Sequence, residues 1–74
     1  MKTYTAKIED IVVKDVRIIG RYESLGLMVE WACPAENVDA EELLGVKQAG
    51  FSFRIVGENC YIASRLGYTK FTED

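Results

Sequence analysis

The chain contains no histidine, a single proline and two cysteines in 74 residues. The missing histidine removes the commonest general acid and base, and the commonest metal ligand, from any account of what the protein does. Cys33 and Cys60 each sit inside an apolar alternating pattern, with no imidazole anywhere to activate a thiolate. They read as free, buried thiols; one disulfide is allowed by count, but nothing resembles the cysteine framework of a small secreted domain. Long apolar runs are also missing, so no segment approaches the roughly 20 residues that a bilayer-spanning helix needs. The six glycines, at 20, 26, 45, 50, 57 and 67, are dispersed and form no phosphate-cradling loop. The chain opens without a cationic and apolar signal segment, which leads us to expect a cytoplasmic protein. These absences argue against an enzyme, a cofactor, a metal site and a membrane protein.

What is present is the composition of an ordinary folded domain, 49% hydrophobic and 28% charged. At this length the expectation is one domain spanning 1–74, because two would leave neither half with a core. The net charge of −3 conceals a segregation of sign. Acidic residues cluster at Glu36, Asp39, Glu41 and Glu42, whereas Lys47, Arg54, Arg65 and Lys70 follow with only Glu58 against them before the acidic end. The overall balance lacks the basic excess of a general nucleic-acid binder.

Tyr4, Ala6 and Ile8 alternate with Thr5, Lys7 and Glu9, which predicts a strand over 3–9 with one buried face. Alternation resumes through Val12, Val16, Ile18 and Tyr22, and a bulge near Lys14 and Asp15 reconciles its two phases. Glu23-Ser24-Leu25-Gly26 reads as a turn into a third strand over 27–33. A four-residue loop places Tyr22 opposite Leu27, Gly20 opposite Val29, Ile18 opposite Trp31 and Val16 opposite Cys33, with Gly20 leaving room for the Trp31 ring.

Pro34 ends that strand, and Asp39 then stands three residues before Glu42, an Asp version of the capping box, flanked by Val38 and Leu43 as a hydrophobic staple. The predicted helix runs from Ala40 to Gln48, with Leu43, Leu44 and Val46 toward the sheet and Gly50 as its stop. Gly45 costs roughly 1 kcal/mol relative to alanine and offers an earlier end. Gly57-Glu58 then supplies a two-residue turn that pairs Ile55 with Cys60, Phe53 with Ile62 and Phe51 with Ser64 on a core face, and Arg54 with Tyr61 and Ser52 with Ala63 on the other. Residues 67–74 either continue the last strand after a bend or form a mobile tail. The expectation is therefore an α+β fold, an antiparallel sheet of about five strands in chain order β-β-β-α-β-β, with one short helix on one face.

One short helix cannot cover both faces of such a sheet, which leaves Arg21, Met28, Glu30, Arg54, Val56 and Tyr61 on an open face suited to a partner or a homodimer. Tyr, Trp, Arg and Met are the residues that most often anchor protein interfaces. The expected function is non-enzymatic, stoichiometric protein binding, with the acidic segment Glu36, Asp39, Glu41 and Glu42 meeting a basic surface. Size and composition match inhibitors and adaptors, including those that phages and mobile elements direct at host defences. An alternative is an RNA- or DNA-binding module built on Arg54, Tyr61, Arg65, Tyr68, Lys70 and Phe71, where cations alternate with aromatics. A third is a small oligomer-forming subunit.

Overall fold

The computed structural model describes residues 2–23, 26–48, 51–65 and 67–74. Six strands are present among them: β1 (Tyr4–Ile8), β2 (Ile11–Tyr22), β3 (Met28–Pro34), β4 (Ser52–Val56), β5 (Asn59–Arg65) and β6 (Lys70–Glu73). A short 3-10 turn (Ala35–Asn37) and helix α1 (Ala40–Gln48) lie between β3 and β4. The strands form one antiparallel sheet in the order β4-β5-β3-β2-β1-β6. The class, the chain order up to β5 and the single helix are as the sequence predicts. Residues 67–74 follow neither expectation: the chain turns at Gly67, where φ is 105°, and β6 does not extend β5 but pairs with β1 at the far edge of the sheet as a sixth strand.

The bulge expected in β2 is there, with Asp15 at φ 58° and the β1 register shifting opposite it. It lets one 12-residue strand serve two differently oriented halves of the sheet. The curvature that results is measured by Phe71 on β6 and Trp31 on β3. They lie three strands apart, about 14 Å in a flat sheet, yet their ring centroids are 5.9 Å apart. The sheet therefore curls over a core of Ala6, Ile8, Val13, Val16, Val29, Trp31, Cys33, Cys60 and Ile62.

Helix α1 closes this concave side, contributing the fully buried Val46 and the partly buried Leu43. Its capping box forms as the sequence predicts: the Glu42 amide donates to Asp39 Oδ1 at 2.8 Å and the Asp39 amide donates to Glu42 Oε2 at 3.1 Å. Gly45 does not stop the helix. A Cβ there would stand 3.2 Å from Ile11 Cδ1, so the missing side chain lets the helix approach the start of β2. Leu44, expected against the sheet, is instead 55% exposed, because nine residues present only a narrow stripe to the core.

The second hairpin departs from its expected register. Ile18 faces Trp31, but a second irregularity between Ile18 and Gly20 sets Gly20 opposite Glu30, Arg21 opposite Val29 and Tyr22 opposite Met28. Gly20 and Tyr22 thus move to the convex face, where the Tyr22 ring lies across Gly20, and Arg21 leaves that face. Room for Trp31 comes from the curl of the sheet, not from Gly20. The turn centre at Ser24 and Leu25 and the helix stop at Gly50 lie outside the described residues. The last hairpin has four of the five predicted pairs, Ile55 with Cys60, Phe53 with Ile62, Arg54 with Tyr61 and Ser52 with Ala63; β4 begins at Ser52, so the expected pair of Phe51 with Ser64 does not form in the ladder.

Candidate binding face on the β4 side of the sheet

Antiparallel partners in direct register share a sheet face, so the pairings sort the four strands β2, β3, β5 and β4 into two surfaces. The concave surface carries Val29, Trp31 and Cys33 opposite Ser64, Ile62 and Cys60. The convex surface carries a row that crosses all four strands, Arg17, Ala32, Tyr61 and Arg54. Beside it run Glu30, Ala63 and Ser52, and beyond these Met28 and Arg65.

The row is organised by its own side chains. The Arg54 guanidinium lies over the Tyr61 ring, 5.0 Å from the centroid, a cation–π contact. Glu30 approaches Arg54 at 3.9 Å, and Arg54 keeps 66% of its side chain exposed. At the far end Arg17 donates to Asn59 Oδ1 at 3.5 Å. Between Arg17 and Tyr61 the small Ala32 is only 1% exposed, screened by larger neighbours on both sides. A shallow depression lined by Glu30, Ser52, Arg54, Tyr61 and Ala63 lies over the row. Among the described residues these pairings place on the convex surface, three arginines thus stand with one carboxylate, in a protein whose net charge is −3.

The row ends at β4, an outer strand of the sheet. Ile55 was expected in the core, and it does point to the concave side opposite Cys60, but it is 53% exposed, as is Val56 on the convex side. An edge strand apolar on both faces, with no strand beyond it among the described residues, is the arrangement that sheet proteins ordinarily avoid.

The remaining predicted site residues fall into separate places. Asp39 and Glu42 are occupied in the helix cap, while Glu36 and Glu41 remain exposed. Glu36 lines a depression with Pro34, Ala35, Glu58 and Asn59. Arg54, Tyr61 and Arg65 share the convex face, but the basic-aromatic set is divided. Tyr68 packs edge-on against Phe51 with centroids 6.3 Å apart, Phe71 is part of the core packing, and Lys70 lies on the opposite edge strand. Arg17 joins the row without having been singled out by sequence; its position between Val16 and Ile18 gives its face, but only the strand order brings it to Tyr61.

Cys33 and Cys60 are unbridged, fully buried and directly opposed. Burial first, then the neighbouring Cys60, pushes the Cys33 thiol up to about 12. Burial also raises Cys60, opposed by the hydrogen bond from Cys33. Among the described residues no three His, Cys, Asp or Glu side chains are grouped to hold a metal ion, and no helix is long and apolar enough to cross a membrane. No protein-family model matches the chain, and neither does any curated protein or solved structure.

Proposed function

We propose that this chain is a non-catalytic, stoichiometric protein-binding domain acting in the cytoplasm, and that its partner docks along β4 and the adjoining convex face. The observation that supports this reading is the outer edge of β4, unpaired among the described residues and apolar on both faces through Ile55 and Val56. Both side chains are already about half buried, so covering the rest contributes roughly 1 kcal/mol each, and the Arg54–Tyr61 pair beside them is of the type that anchors protein interfaces. Glu36 and Glu41, free of the helix cap, add a negative charge that steers a partner's basic surface. An inhibitor or adaptor, including one that a phage or mobile element directs at a host defence complex, needs no more than such a surface.

The test is affinity capture from the cells that make the protein, comparing the wild type with Ile55→Lys/Val56→Lys and with Val12→Lys, whose change lies on β2. The wild type and Val12→Lys should retain one partner at one-to-one stoichiometry, and the edge variant should lose it. Equal retention by all three overturns the placement.

A second reading, binding of single-stranded nucleic acid, draws support from Arg17, Tyr61, Arg54 and Arg65 sharing one face. It requires oligonucleotide binding that weakens steeply with salt and is lost in Arg54→Ala/Arg65→Ala. No binding at low salt ends it.

A further inference from the structure

Resting on the protein-binding reading, we infer that the partner contributes an extended segment that adds as a seventh strand to β4 and places a carboxylate opposite Arg54. Three observations converge on this occupant. The first is the edge itself, whose outer backbone groups have no neighbouring strand among the described residues, as strand addition requires. The second is the alternation along β4. Phe53 and Ile55 point to the concave side while Ser52, Arg54 and Val56 point to the convex side. An added strand in register with Arg54 therefore presents apolar side chains toward Phe53 and Ile55 and one polar side chain toward the guanidinium.

The third is charge. Among the described residues that the pairings of β2 to β5 place on the convex face, Arg17, Arg54 and Arg65 stand with one carboxylate, Glu30, which meets Arg54 only at 3.9 Å while the guanidinium stays 66% exposed. A surface ion pair of that kind is weak, so Arg54 keeps donors for a carboxylate arriving in the plane of its fork.

The same geometry disfavours a second copy of this chain. Two β4 strands related by a two-fold axis, overlapped over their full length from Ser52 to Val56, set Arg54 directly opposite its own copy. Like charges directly opposed across strands are destabilising. A partner strand reading apolar, acidic, apolar meets Phe53, Arg54 and Ile55 with a complementary group at each.

Selection of a random-peptide library on the immobilised, folded chain tests this. Recovered peptides should alternate apolar residues around an Asp or Glu, slow hydrogen exchange in β4, and weaken about tenfold or more on Arg54→Glu. Arg54→Gln should weaken them less, and selection on Arg54→Glu should return peptides with Lys or Arg at the central position. Melting curves show whether the variants remain folded. Peptides without an acidic residue, peptides indifferent to Arg54→Glu, or none at all overturn the inference, as does an oligonucleotide that binds this face where peptides do not. The protein-binding reading is judged separately, by whether the wild type captures a partner at one-to-one stoichiometry.

Discussion

The ring of Phe71 meets the ring of Trp31 edge to face, with centroids 5.9 Å apart and planes at 84°. The contact joins the last strand of the chain to the middle of the sheet and holds the curl on which the core depends. Phe71 also meets Tyr4 at 6.4 Å, so β6 is a wall of the core and not a tail. Phe71→Ala should lower stability by about 2–4 kcal/mol. For a domain this small, that shifts the thermal midpoint by roughly 8–30 °C. An unchanged midpoint in a melt followed by Trp31 fluorescence would contradict this role.

Ser64 is the polar counterpart of that contact. Its hydroxyl oxygen accepts hydrogen bonds from Trp31 Nε1 at 3.1 Å and from Thr69 Oγ1 at 3.0 Å, all within the interior. Ser64→Ala strands both donors and should cost about 1–3 kcal/mol. Thr69→Val, which removes a donor without orphaning Trp31, should cost less. Denaturant titration of the two variants orders these effects.

The opposed thiols predict a pH dependence confined to the alkaline side. In the folded chain Cys33 is raised from 9.0 to about 12 and Cys60 is raised as well. The native state therefore holds protons that the unfolded state has released. The stabilisation is complete below pH 9 and is lost as the pH climbs from 9 toward about 12. Cys33→Ala/Cys60→Ala should flatten that part of the stability curve. At pH 8 iodoacetamide should label neither thiol in the native protein and both after unfolding.

The helix start makes a smaller and separable contribution. Asp39→Ala removes the carboxylate that receives the Glu42 amide and should cost about 1 kcal/mol. Glu41→Ala, which leaves the cap intact, should cost a few tenths. Circular dichroism melts of the two variants separate capping from general acidity.

Those cap residues, and the β4–β5 hairpin, were legible in the sequence because their signals are local: a carboxylate three residues from its reciprocal partner, and a glycine-led turn that sets a register. The β2–β3 register was not. The irregularity after Ile18 has no residue signature, and one extra residue was enough to move Gly20, Arg21 and Tyr22 to the opposite faces. Alternation gave Ile55 its face correctly but could not give its depth, which follows from β4 lying at the rim. Strand order itself depends on β1 pairing with β6 across most of the chain, a long-range choice invisible to local pattern. For the same reason the Arg54–Tyr61 pair could be read from one hairpin, whereas the row extending to Arg17 could not.

The most direct test of the central claim is hydrogen exchange of the protein alone and bound to its captured partner. Strand addition predicts that the slowing of exchange is greatest over Ser52–Val56, with the opposite edge, Lys70–Glu73, unchanged. Slowing confined to Glu36–Glu42, or to β6, with β4 unaltered, would contradict it.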